Sequence, residues 1–303
     1  MTELTDFQRN ISEMLTDVEL RFHEPMSKHT SFRIGGGAEV MAFPKNREEL
    51  ARILKVSALM DIKPAILGAG TNVLAPDAGI PGLVICLKDC LSGMEQLDGD
   101  RVCVAAGVTM TRAAVFAANL GLAGMEFAHG IPGTIGGGIY MNAGAYGGEL
   151  KDICESVDVM DMQGNVRSLT NEQMGFSYRH SMLEENPGIV VSAIFRLIPM
   201  EPEQIKAKMK ELQGKRTAAQ PLDLPSAGSA FKRPVGGFAA ALIDQAGLKG
   251  YTVGGAAIST KHAGFAVNIG GATARDVQDL LQQVSDIVFE KSGIRLESEI
   301  RIW

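Results

Sequence analysis

Cysteine is scarce in this chain, tryptophan occurs once, and no long apolar run is present. The four cysteines among 303 residues are Cys86, Cys90, Cys103 and Cys154. None forms a CxxC pair, and no histidine follows at a zinc-ligand spacing, so neither a metal site nor a disulfide framework is expected. Free thiols are the expectation, with Cys86 and Cys103 buried in β-like apolar runs. No segment reaches the roughly 18 apolar residues that span a bilayer. The opening MTELTDFQRNISEML carries acids at amphipathic spacing and does not read as a secretory signal. A cytoplasmic location without membrane attachment is therefore expected. Basic charge is also short, with 29 Lys and Arg against 35 Asp and Glu, a net −6. That balance speaks against a nucleic-acid surface, although local basic groups can still hold a small anion. No feature calls for an obligate protein partner.

Glycine, by contrast, is abundant. The 35 glycines gather at 35–37, 130–138, 144–148 and 254–255. Such clustering marks backbone that must come close to something or take positive φ. The length suits two or three compact units. The first twenty residues predict an amphipathic helix on Phe7, Ile11, Met14, Leu15 and Val18. Asn46 is a candidate N-cap, with Glu49 three residues on. PAILGAGTNVL predicts a strand entering a glycine turn, and PGLVICL and RVCVAAG predict further strands. A helix is expected at 110–120, with strands near 156–162 and 189–197. A charged helix is expected at about 202–215, and another in GFAAALIDQAG. Thr273 would cap a long helix that Gly293 stops, and the closing GIRLESEIRIW alternates as a strand does. Helices and strands without a regular βαβ rhythm predict an α+β fold.

Two glycine motifs carry chemistry. GAGTN at 68–72 follows a strand, but Val73 stands where a dinucleotide fingerprint needs its third glycine, and the residues about 20 positions on, Lys88, Asp89 and Cys90, lie in a different context. The longer GIPGTIGGGIYMNAGAYGGE can aim several backbone N–H groups at a pyrophosphate. A glycine-rich packing corner without any ligand is the alternative, and spacing alone leaves it open.

Taken in order, GAGTNVL, EFAHGIPGTIGGGIYMNAGAYGGE, SYRHS, AGSAFKRP, GGAAIS and LESEIRIW resemble the UDP-N-acetylenolpyruvoylglucosamine reductase (MurB) family, from about residue 28 to the C-terminus. The resemblance implies an FAD-binding fold of the vanillyl-alcohol-oxidase (PCMH) type in two α+β subdomains, 1–85 and 86–200. A C-terminal α+β substrate domain, 201–303, would follow, its last strand returning to the active site. It implies NADPH-dependent reduction of UDP-N-acetylglucosamine enolpyruvate to UDP-N-acetylmuramate through FAD, a step of peptidoglycan precursor synthesis.

The resemblance also implies site residues. FAD would be held non-covalently by Gly68, Gly70, Thr71, Asn72, Ile131, Pro132, Gly133, Gly137 and the Asn142–Ala143–Gly144 segment. Ser229 would give a proton to C2 of the substrate. Arg179 would bind the substrate carboxylate, and Glu299 would assist charge stabilisation, with Glu297 as its rival. Arg301 would help bind substrate. Arg233, Lys261, Gln245, Asn268 and Tyr146 are weaker candidates around the UDP group. His129 departs from the family pattern and is expected to be a loop histidine, not a point of flavin attachment. Only SMLEENPG separates SYRH from IVVSAIF, and no tyrosine lies between Tyr178 and Tyr251. This matches the shorter subtype, which lacks a tyrosine lid.

Overall fold

The computed structural model describes residues 4–303. In chain order its elements begin with α1 (Asp6–Met14), β1 (Glu19–Pro25), β2 (Gly37–Phe43), α2 (Arg47–Leu59), β3 (Ala65–Leu67) and β4 (Val73–Leu74). Then come β5 (Ile80–Cys86), β6 (Met94–Gln96), β7 (Arg101–Ala105), α3 (Met110–Asn119), β8 (Leu122–Ala123) and α4 (Ile135–Tyr140). They are followed by β9 (Gly144–Ala145), β10 (Gly148–Glu149), β11 (Cys154–Met160), β12 (Val166–Thr170), β13 (Ile189–Arg196), β14 (Ile198–Pro199) and α5 (Pro202–Ala219). The chain closes with β15 (Ser226–Ser229), α6 (Ala239–Gln245), β16 (Thr252–Val253), β17 (Ala256–Ile258), β18 (Phe265–Asn268), α7 (Ala274–Ser292) and β19 (Arg301–Ile302).

Three larger sheets follow the chain in three successive spans. They are ordered β1-β2-β5-β3, β12-β11-β13-β7-β6 and β15-β18-β17-β16. Contacts nonetheless divide the chain into two compact units, each assembled from separate stretches. The first contains 1–21, 40–69 and 82–215; the second contains 22–39, 70–81 and 216–303.

In the first unit, β11 pairs antiparallel with both β12 and β13, and β13 with β7. Alternation along these strands sends Val102, Val104, Val157, Ala193 and Phe195 into a core with Ala113 and Ala117 of α3 and Ile135 and Ile139 of α4. In the second unit, α7 lays Val277, Leu280, Leu281, Val284 and Val288 into a core with Ala256, Ile258 and Ala266. β19 runs parallel to β4, with Arg301 opposite Val73 and Ile302 opposite Leu74.

Local signals set several boundaries as expected. Asn46 accepts the Glu49 N–H at 2.8 Å. Thr273 forms a capping box with Asp276, and Gly293 ends α7 at φ 72°. Three expectations need correction. The first helix stops at Met14, because Thr16 and Asp17 form a turn and β1 takes over at Glu19. Val18 is buried, but from the turn. The closing segment is not one strand. Leu296 and Ile300 are buried in alternation, yet the Ser298 hydroxyl both donates to the Ile300 carbonyl and accepts the Ile300 N–H, and only Arg301 and Ile302 enter a ladder. Cys103 is only half-buried, although Cys86 is buried and all four cysteines are free thiols. Burial pushes the Cys154 thiol up to about 12, which leaves it unreactive. Among the described residues no helix is long and apolar enough to cross a membrane.

Candidate active site

The glycine-rich stretch of the first unit contains two kinds of glycine. At Gly138 a Cβ would stand 2.9 Å from Leu150 Cδ1 and from Met110 Sδ, and at Gly136 it would stand 3.0 Å from Ala106 Cβ. These two serve packing. At Gly137 a Cβ would meet only Thr134 Oγ1 at 3.7 Å, and at Gly68 only the same atom at 3.3 Å. Gly68 and Gly137 therefore flank one buried hydroxyl and are otherwise open, as a cradle for a closely approaching group requires. Thr134 is the N-cap of α4 and accepts the Gly137 N–H at 3.4 Å.

Many of the amides expected to face a phosphate are already engaged. Gly130 donates to Thr111 Oγ1, Ile131 to the Ala128 carbonyl, Ile135 to Val108 and Gly136 to Ala106. What the loop offers a cofactor is therefore open glycine surface more than a ring of donors. Pro132 is exposed beside it, and Gly133 passes its carbonyl to the Met110 N–H. His129 closes the short turn at Glu126–Ala128 with its backbone N–H on the Glu126 carbonyl.

Arg179 lies at the tip of a two-residue turn closed by the pairing of Ser177 with His180. Its φ of 56° places a non-glycine residue in the left-handed region, at a cost of roughly 1–2 kcal/mol. Asn142 and Tyr146 share that conformation, at 42° and 54°. Such residues gather where function requires a fixed direction. The Arg179 Nη2 donates to the Gly144 carbonyl at 3.2 Å, and its guanidinium lies 5.0 Å from the Tyr178 ring.

Asn142 organises this region. It is fully buried, and its Nδ2 donates to Glu149 Oε2 at 3.0 Å and to the Ser177 carbonyl at 2.9 Å. Its Oδ1 accepts the Lys151 N–H at 3.0 Å. Ala143 and Gly144 continue into the β9–β10 pair, with Gly144 opposite Glu149. Burial pushes the Glu149 carboxyl upward, but Lys151, Asn142 and the nearby charge of Arg179 outweigh it and hold the group below its ordinary value.

The second unit brings a different set together. Gly70 turns the GAGTN loop at φ 62°, against the His29 carbonyl, where no side chain fits. Thr71 is half-buried beside it. The Asn72 Nδ2 donates to the Glu299 carbonyl at 3.1 Å, and the Arg301 N–H donates to the Asn72 carbonyl at 3.0 Å. The Glu299 N–H donates to the Ala230 carbonyl at 3.0 Å, directly after Ser229. Ser229 ends β15 opposite Phe265, with its side chain exposed. Glu297 and Glu299 are thus separated: Glu297 is 77% exposed and faces Lys232 at 3.5 Å, while Glu299 is half-buried between Ala230 and Asn72.

The C-terminal 220–303 match the family profile described as UDP-N-acetylenolpyruvoylglucosamine reductase, C-terminal domain, and 38–170 match an FAD binding domain. A reductase of that name from Caldanaerobacter subterraneus is 46% identical over 96% of both chains. One from Lactobacillus acidophilus is 46% identical over 94% of this chain and 95% of its own. The crystal structure of the Thermus caldophilus MurB aligns with a TM-score of 0.79 at 36% identity, covering 94% of this chain and 98% of that one. The chain belongs to the UDP-N-acetylenolpyruvoylglucosamine reductase family. Its α+β, FAD-binding fold is the one the motifs implied.

Within this MurB framework the weaker candidates differ in what they have left to offer. Arg233 stacks over Phe238 at 4.5 Å, both on the loop after Ser229. Gln245 is exposed at the end of α6. The Lys261 ammonium donates to the Thr217 carbonyl at 2.8 Å. Asn268 is buried, with its Nδ2 on the Phe32 carbonyl and its Oδ1 accepting from Gly270 and Ala272, so it holds the fold. Between His180 and β13 the chain makes one short helical turn at Met182–Glu184. Sequence reasoning missed Thr134, although threonine is a favoured N-cap residue. It also missed the hold of Asn72 on Glu299, which no spacing across more than 200 residues announces.

Proposed function

We propose that the chain reduces UDP-N-acetylglucosamine enolpyruvate to UDP-N-acetylmuramate at the expense of NADPH, with Ser229, Arg179 and Glu299 as its catalytic residues. The observation that carries the reading is the backbone junction in the second unit. There the strand ending at Ser229, the Glu299 segment and Asn72 are joined by consecutive hydrogen bonds. FAD, when bound, supplies the relay that takes hydride from NADPH and delivers it to C3 of the enolpyruvyl group.

Gly68 and Gly137 leave the space for the cofactor, and the Gly70–Asn72 loop adds a second stretch of tight backbone. Negative charge that develops at C2 spreads into the substrate carboxylate. The Arg179 guanidinium meets that carboxylate with planar donors. The Ser229 hydroxyl gives its proton to C2, and Glu299, as the protonated acid or through water, assists in stabilising the negative charge that builds there. Arg301, whose strand Asn72 anchors, binds the substrate, and Arg233 answers the charge of the diphosphate. Hydride at C3 and a proton at C2 complete the saturated lactyl ether. A cytoplasmic place is consistent with the use of NADPH.

The test is anaerobic stopped-flow on the two half-reactions. NADPH should bleach the flavin, and UDP-N-acetylglucosamine enolpyruvate should restore its absorbance. A reduced flavin that oxygen restores but this substrate does not would overturn the reading.

A further inference from the structure

His262 lies in the loop between β17 and β18, and no part of the chemistry above uses it. The loop is tightly determined. Ser259 Oγ accepts the N–H groups of Lys261 and His262 at 3.1 and 3.3 Å, and the Phe265 N–H closes back on the His262 carbonyl at 3.0 Å. The imidazole stands edge-on to the Phe265 ring, with centroids 5.1 Å apart. Gly264 packs beneath it, where a Cβ would stand 3.0 Å from His262 Cε1 and 3.2 Å from Ala240 Cβ.

One hydrogen bond fixes the state of the ring. The Gly264 N–H donates to His262 Nδ1 at 3.1 Å. A backbone N–H can only donate, so Nδ1 must hold a lone pair and the ring must be neutral, with its proton on Nε2. The other side of the Gly264 residue faces the reaction. Its carbonyl accepts the Ala230 N–H at 2.8 Å, one residue after Ser229, and Ser229 itself is paired with Phe265.

We propose that neutral His262 is a positioning residue for Ser229: its Nδ1 lone pair holds Gly264, and the Gly264 carbonyl holds the strand end that presents the Ser229 hydroxyl. The inference rests on the role given to Ser229 above. An Nδ1–H would point at the Gly264 N–H, so protonation must break this contact and loosen the strand end. Burial pushes the His262 pKa below its ordinary value against an opposing backbone hydrogen bond, and Lys249 beyond the end of α6 adds to the lowering. Lys249 is itself paired with Asp244 at 2.8 Å, and Lys261 on the same loop is engaged by the Thr217 carbonyl. The sign follows: a depressed pKa keeps the ring neutral at pH 7, and the positioning is lost as pH falls through that depressed value.

Two variants of the flavin-loaded enzyme test this. His262→Ala removes the acceptor. Re-oxidation of reduced flavin by the enolpyruvyl substrate should slow by roughly five- to tenfold, the effect of one hydrogen bond, with flavin content and flavin reduction by NADPH retained. His262→Asn places an amide oxygen near the position of Nδ1 and does not titrate. It should recover most of the rate and lose the acid limb of the wild-type pH profile. A wild-type rate in His262→Ala, or an unchanged acid limb in His262→Asn, overturns the proposal. Histidine ¹⁵N shifts read the ring without substrate, and a proton on Nδ1 at pH 7 overturns it as well. If the substrate fails to re-oxidise even the wild-type flavin, the proposed reaction falls, whereas the shifts still decide the tautomer.

Discussion

Arg179 and Ser229 belong to one proposed reaction but are held by opposite means. Arg179 depends on side chains and on strained backbone: a left-handed φ, a bond to the Gly144 carbonyl, and the buried Asn142 that grips the Ser177 carbonyl of its turn. Ser229 depends on backbone alone, through the pairing with Phe265 and the Gly264 and Glu299 bonds at Ala230. Its side chain is exposed, and among the described residues no hydrogen bond passes through it. The difference means that substitution at Ser229 removes a function and leaves the frame, while substitution around Arg179 disturbs both.

The largest expected effect tests the first half of that contrast. Ser229→Ala should slow substrate-driven flavin re-oxidation by about 10²–10⁴-fold, the usual worth of a positioned proton donor. Flavin reduction by NADPH and the melting temperature should stay near wild type. A comparable loss in both half-reactions would place Ser229 in the frame after all.

Arg179→Ala should lower kcat/KM by at least about 30-fold, as loss of a buried charge-assisted contact costs roughly 2–5 kcal/mol. Flavin should remain bound. Arg179→Gly also lacks the side chain but suits the left-handed turn, so it should be more stable than Arg179→Ala by about 1 kcal/mol in denaturant titration. Equal stability would show that the turn is not strained, and the contrast with Ser229 would weaken.

What could be read beforehand follows the same division. Caps, glycine stops and the α+β class are local signals, so Asn46, Thr273 and Gly293 were legible. The motif order carried the family, because several short motifs in sequence are specific where each alone is not. The choice between Glu297 and Glu299 was not legible from alternation, since both share a parity. It is the Asn72 amide on the Glu299 carbonyl, a contact across more than 200 residues, and the exposure of Glu297 beside Lys232 that tell them apart. Asn142 was expected at the flavin. That it is a fully buried hub for Glu149, Lys151 and Ser177 depends on residues up to 35 positions away. His262 carried no signal in the sequence, because its partner atom is a backbone N–H, which sequence does not display.

Asn142→Ala should therefore act through the fold. It leaves the Ser177 carbonyl and the Lys151 N–H without their buried partner, at about 2–4 kcal/mol in total. The midpoint of chemical denaturation should fall, and kcat/KM should fall with it, because the turn carrying Arg179 loses its anchor. A variant that keeps full stability yet loses flavin would show that Asn142 serves the cofactor first.

The smallest effect separates the two kinds of glycine. Gly138→Ala inserts a methyl against Leu150 and Met110, and should cost about 1–3 kcal/mol of stability as overpacking while the folded protein keeps its flavin affinity. Gly137→Ala meets only Thr134 Oγ1 at 3.7 Å in the same helix. There alanine should stabilise the flavin-free protein by roughly 0.5–1 kcal/mol, because it loses less backbone entropy on folding. The same methyl would enter the space proposed for the cofactor, so fluorescence titration should show weaker FAD binding. The pair must therefore move in opposite directions in stability, falling at Gly138 and rising at Gly137, while FAD affinity falls at Gly137 alone. If Gly137→Ala binds FAD like the wild type, the open surface at Gly68 and Gly137 is not where the cofactor comes closest, and the glycine-rich stretch is a packing corner after all.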